Sequence, residues 1–125
     1  MLRFHFIPND DFILVRLEGL VSLDAWRQAL GALQTQIAPM PADRLLLDLR
    51  GLLGWLGVPE RTAVGALMAA HFSRMKKVAL LIQKEKITGV VEAEAQRLGL
   101  DLKLFADFGE AAAWIVSDQP FFNAA

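Results

Sequence analysis

The chain has 125 residues, 54% of them hydrophobic, with no cysteine and a formal net charge of −1. That length makes one domain, taken as residues 1–125, with enough chain to bury a core without cross-links. The totals exclude disulfides and thiolate metal sites, and they provide no overall positive field to draw nucleic acid.

The apolar runs are short and broken by charge, none approaching the roughly 20 residues that span a bilayer, so no transmembrane segment is expected. Met1-Leu2-Arg3-Phe4-His5-Phe6 lacks the basic, long-apolar and small-residue sequence of a secretory leader, so no signal peptide is read. With no cysteine, a cytoplasmic location is expected. Tyrosine is absent and only three tryptophans are present, leaving no aromatic ladder for stacking bases.

Leu2 to Ile7 reads as a strand, Pro8-Asn9-Asp10-Asp11 as a turn, and Phe12 to Glu18 as a second strand, together an antiparallel hairpin. Ser22 is a good N-cap for a helix with Leu23, Trp26, Leu30, Leu33 and Ile37 on one face, ended by Pro39 and Pro41. Leu45 to Leu49 is apolar on both faces, as a strand covered on both sides should be. Pro59 suits the first turn of a second helix, whose inner stripe is Val64, Leu67, Met68, His71 and Phe72. Gly65 and Ala69 permit close approach to that helix. Val78 to Ile82 follows as a strand. A third helix is expected over Ile87, Val90, Val91, Ala95 and Leu98, stopped by Gly99. Leu100 to Phe105 is the last strand, and Asp107 with Glu110 opens the last helix. The order ββαβαβαβα predicts an α/β fold with a single mixed, mostly parallel sheet of about five strands, an antiparallel N-terminal edge strand and about four helices.

The stretch from Arg50 to Pro59 reads as a glycine-punctuated loop full of large apolar side chains. Loops are normally polar, so Leu52, Leu53, Trp55 and Leu56 either cap the sheet, form a docking patch for a protein, or flank the mouth of an apolar pocket. Arg50, Arg61, Lys84 and Lys86 fall at or beyond the carboxyl ends of strands, where open α/β sheets bind ligands. They either bind an anion or form an ordinary solvated rim. Asp48 is expected to accept backbone N–H groups of the following segment and to pair with Arg50, since a buried carboxylate without partners is costly. His5 and His71 lie on separate elements and make a poor metal or catalytic set. Neither a phosphate loop nor a nucleophile elbow is present.

The order of elements, with Leu46-Leu47-Asp48-Leu49 before a loop and helix, resembles the STAS domain of anti-sigma factor antagonists. Gly54-Trp55, Val78-Ala79-Leu80-Leu81, and Leu104-Phe105 followed by Glu110-Ala111-Ala112-Ala113-Trp114-Ile115 are similar to small bacterial SpoIIAA-like proteins, grouped as STAS/SEC14-like. In antagonist members a kinase phosphorylates a serine in an Asp-Ser-Ser-Gly-Leu-Gly motif at the start of the second helix. The matching stretch here is Glu60-Arg61-Thr62-Ala63-Val64-Gly65, which makes Thr62 the candidate phosphoacceptor. The sequence departs from that pattern in its longer loop and in Arg61, which replaces a small residue.

The expectation is therefore a non-catalytic, regulatory binding module without cofactor or metal. It acts on a protein partner through Leu53, Trp55, Leu56, Glu60, Arg61 and Thr62. The alternative is a carrier or sensor of a lipid-like or anionic small molecule. Phe121-Phe122 would suit a homo-oligomer contact.

Overall fold

The computed structural model describes residues 1–118. A hairpin opens the chain, β1 (Arg3–Ile7) and β2 (Ile13–Leu20), and strands and helices then alternate: α1 (Leu23–Ile37), β3 (Arg44–Leu53), α2 (Val58–His71), β4 (Lys77–Leu81), α3 (Val90–Arg97), β5 (Leu102–Phe105) and α4 (Phe108–Val116). The strands form one sheet in the order β1-β2-β3-β4-β5, with β1 antiparallel to β2 and the other pairs parallel.

Local chemistry explains the boundaries. The Asn9 side-chain oxygen accepts from the backbone N–H groups of Asp11 (2.9 Å) and Phe12 (3.1 Å), closing the hairpin turn. Ser22 caps α1 by accepting from Ala25 N–H at 3.0 Å, and Asp107 caps α4 by accepting from Glu110 N–H at 2.9 Å. Gly99, at φ +97°, takes the left-handed conformation that stops α3.

The larger core lies between the sheet and α1, α2 and α3. It contains Val15, Leu17, Trp26, Leu30, Leu47 and Met68. The smaller one lies under α4, where Leu46, Ala79, Leu81 and Phe105 meet Ala111 and Ile115. Sheet strands buried on both faces are thus accounted for, and the expected α/β architecture is the one found.

Three local readings change. First, β3 does not end at Leu49 but runs on to Leu53, so the apolar loop shortens to residues 54–57. Between Arg16↔Asp48 and Glu18↔Gly51, β3 spends three residues where β2 spends two. That bulge restarts the alternation, so Leu49 and Leu52, an odd number apart, both face the larger core. Second, the third helix is split. Lys84–Lys86 form a short 3-10 turn, and α3 begins only after Gly89, whose φ of +86° breaks the run; Ile87 lies outside the helix and Leu98 is exposed. Third, His71 is not on the inner stripe. It is half-buried at the end of α2 and its Nδ1 lies 2.5 Å from Gln34 Oε1 on α1. Phe121-Phe122 lies outside the described residues.

Candidate functional site

The carboxyl ends of β2–β5 form one edge of the sheet, and the segment from β3 to α2 crosses it. Leu20 pairs in register with Leu53, and Val21 N–H donates to Leu53 O at 2.9 Å. Gly54 follows at φ +96°, turning the chain where a Cβ would come within 3.2 Å of Leu20 Cδ1. The apolar residues then divide. Leu52 is buried and Leu56 half-buried, so these two cap the sheet. Leu53 is 66% exposed and Trp55 54%, and Leu20 and Val58 join them at similar exposure. Leu20 and Val58 escape sequence reading because one looks like the end of a strand and the other like the start of a helix. Only the register and the turn bring them to this edge of the sheet.

Arg61 spans this edge. Its guanidinium carbon lies 4.8 Å from the Trp55 ring centroid. Nη1 donates to Thr88 Oγ1 at 2.6 Å, ahead of α3. Nε reaches Gly57 O at 3.4 Å. Thr88 is thus a further contributor that carries no sequence signal. Glu60 folds over Gly57, where a Cβ would meet Glu60 Oε1 at 3.1 Å. Thr62, half-buried, lies beyond the first turn of α2, and its hydroxyl donates to Val58 O at 3.0 Å.

Behind Trp55 lies a cavity of about 90 Å³. Its buried walls include Trp26, Leu49, Leu52, Val64, Met68 and Leu80, and Arg61, Lys86 and Thr88 supply the polar lining. Of the four cations singled out from the sequence, the structure brings Arg61 and Lys86 together here. Lys84 is exposed on the 3-10 turn and does not line the cavity.

Arg50 is engaged elsewhere. Asp48, only 5% exposed, accepts from Arg50 N–H at 3.1 Å and from its Nε and Nη2 at 3.0 Å each, with Arg16 Nε at 3.7 Å. Burial alone would push the Asp48 carboxyl up, but the side-chain and backbone hydrogen bonds from Arg50 and the charges of Arg50 and Arg16 outweigh it. The net shift is below the usual carboxylate value. Asp48 is therefore held as an anion among arginines, a poor proton acceptor. His5 lies on β1, where its Nε2 is 3.3 Å from Glu18, far along the chain fold from His71 on α2. Among the described residues no helix is long and apolar enough to cross a membrane, and no group of three or more acidic, histidine or cysteine side chains gathers as a metal site would require.

No curated protein matches the chain. Among solved structures, it is similar to an uncharacterised protein of the DUF3478 family with a SpoIIAA-like fold from Shewanella loihica. That pair is 18% identical over 91% of this chain and 93% of that one, with a TM-score of 0.58. It is also similar to an anti-sigma factor antagonist from Mycobacterium paratuberculosis, 15% identical over 94% of this chain and 96% of that one, with a TM-score of 0.57. At these identities the likeness establishes the fold, which is that of STAS domains. The SpoIIAA-like family profile matches residues 12–116, and the chain belongs to the SpoIIAA-like family.

Proposed function

We propose that the chain is a non-catalytic regulatory module that docks a protein partner through the carboxyl edge of its sheet. The observation that carries this reading is Trp55. It is more than half exposed two residues beyond β3, on the sheet edge where Leu20, Leu53 and Val58 are also exposed. Contiguous exposed apolar surface is uncommon on a monomer, and tryptophan is a frequent anchor of interfaces. Leu56, Glu60 and Arg61 form the border of the same surface. Support for a non-catalytic role comes from Asp48, whose oxygens are committed to arginines, and from the separation of the two histidines. The similar protein from Mycobacterium paratuberculosis is an anti-sigma factor antagonist, which fits regulation by protein contact. We place the module in the cytoplasm.

Thr62 is the phosphoacceptor in this reading. A phosphate there would bring about two negative charges next to Arg61 at the border of the docking surface.

The test is position-specific photo-crosslinking in the source cell. A photoreactive side chain at position 53 or 55 should give a discrete adduct, and one at Ala113, exposed on α4, should give none. Thr62→Glu should weaken the adduct. An adduct between two copies would make self-association the role of the surface. Equal labelling at all three positions, or none at any, removes the docking reading.

A further inference from the structure

The cavity behind Trp55 has a different chemistry from the patch in front of it. Its buried walls come from four elements: Trp26 on α1, Leu49 and Leu52 on β3, Val64 and Met68 on α2, and Leu80 on β4; the half-buried Val91 on α3 and Leu104 on β5 complete them. Core packing normally leaves few voids larger than a water molecule. This pocket of about 90 Å³ is open at its mouth and lined mainly by apolar groups, so an apolar group entering it would leave water. The polar lining is one-sided. Arg61 and Lys86 both bring positive charge, and neither is paired with a carboxylate among the described residues. An apolar chamber with two cations on it fits a ligand that is greasy at one end and anionic at the other.

We propose that this cavity binds a short-chain carboxylate, with the alkyl tail against the apolar walls and the carboxylate held by Arg61 and Lys86. Volume sets the length. A cavity of about 150 Å³ takes benzene, so by proportion about 90 Å³ takes roughly four carbons, the outer part of a hexanoate tail, with the carbon next to the carboxylate left at the open mouth. A membrane-lipid acyl chain of about 16 carbons would need roughly four times that space, which separates this ligand from a lipid cargo. The head group would take over the contact that Arg61 now makes with Thr88. The site stands on the cavity and its two cations, and does not require the protein-docking reading.

Calorimetric titration of the purified chain with hexanoate, acetate and 1-hexanol tests it. Hexanoate should bind, and acetate, lacking the tail, should bind at least about tenfold more weakly. The double variant Arg61→Gln, Lys86→Gln should lose about tenfold or more for hexanoate and keep its affinity for 1-hexanol, which also reports that the cavity is folded. Ile82→Phe, which fills the cavity from its half-buried wall, should lose both ligands. Should that variant not fold, methyl NMR shifts of Leu49 and Met68 on adding hexanoate to the wild type locate the tail. The proposal is overturned if hexanoate gives no binding at millimolar concentration, if the double variant binds it unchanged, or if those methyl groups do not respond.

Discussion

Arg61 ties Trp55 to the start of α3: the guanidinium lies over the indole ring at 4.8 Å and donates to Thr88 Oγ1 at 2.6 Å. Two segments far apart in sequence, the β3–α2 turn and the approach to α3, are joined by one side chain at the surface. A cation–π contact at such a site contributes about 0.5–1 kcal/mol. Arg61→Ala should therefore lower urea stability by no more than about 1 kcal/mol, yet shift Trp55 emission to the red and raise its quenching by acrylamide. Replacing Trp114 with Phe first leaves Trp26, which is buried, as the only other indole. A loss of several kcal/mol would mean that Arg61 is a structural clamp, not a surface tie.

Gly65 and Gly31 should respond oppositely to alanine. A Cβ at Gly65 would sit 2.5 Å from Val91 O, so α2 and α3 touch through that position. Gly65→Ala must force the helices apart, and overpacking of this kind costs about 1–3 kcal/mol. Gly31, inside α1, has nothing within 4 Å of its missing Cβ. Gly31→Ala should stabilise by about 0.4–1 kcal/mol, because the unfolded chain loses freedom and the helix gains propensity. Thermal melts of the two variants decide both signs.

Much of this architecture is legible in the sequence because its signals are local. Ser22 and Asp107 cap the helices they precede, and Asp48 meets Arg50 because residues two apart share a strand face. The end of β3 is hidden by Gly51. Glycine usually punctuates turns, but here it lies in the strand, where a Cβ would come 3.0 Å from Leu17 O. The bulge that makes this possible depends on β2, which a linear reading does not place alongside. The same holds for the site. Trp55 is recognisable as an out-of-place apolar residue, but its exposure follows from the left-handed turn at Gly54 and the support of Leu20. Thr88 has no signal at all, since its role comes only from where Arg61 reaches. Arg61 and Lys86 separate from Arg50 and Lys84 through the fold, not through spacing along the chain.

Asp48 predicts a pH dependence whose sign is fixed. Its folded pKa lies below the unfolded value of about 3.9. The stabilisation is therefore complete above that unfolded value and is lost as pH falls through the folded one. Asp48→Asn keeps the shape and removes the charge. Because the Arg50 side chain is about half exposed, solvent screens much of the pairing, and the cost at pH 7 should be about 1 kcal/mol. The gap between wild type and variant should close as the pH drops below about 4. Urea titrations at pH 7 and pH 3 check this; a gap that stays constant between them would show that the charge of Asp48 contributes nothing.

Lys77 runs the other way. It is 2% exposed and closes the C-terminal end of α4, where its Nζ donates to Trp114 O at 3.1 Å and to Ser117 O at 2.6 Å, and lies 4.7 Å from the Trp114 ring centroid. Burial pushes its ammonium below the ordinary lysine value, helped by Arg44 and Lys76 and opposed by Asp101 and Asp118. Arg44 serves the same helix end, donating to Ile115 O at 2.7 Å and Ser117 O at 2.9 Å, and Ser117 Oγ donates to Trp114 O at 2.8 Å. Removing Lys77's donors therefore leaves no carbonyl of that end bare, and replacing a buried ion by a hydrophobe of similar length is often nearly neutral. Lys77→Met should stay within about 1 kcal/mol of wild type at pH 7. As pH rises from the depressed folded pKa towards the unfolded value of about 10.4, the unfolded chain binds more protons, so the wild type gains stability that the methionine variant does not. Denaturation at pH 7 and pH 9.5 should thus show the difference moving in the wild type's favour at the higher pH. Movement the opposite way would mean that the charged ammonium is favoured by the helix end more than burial penalises it.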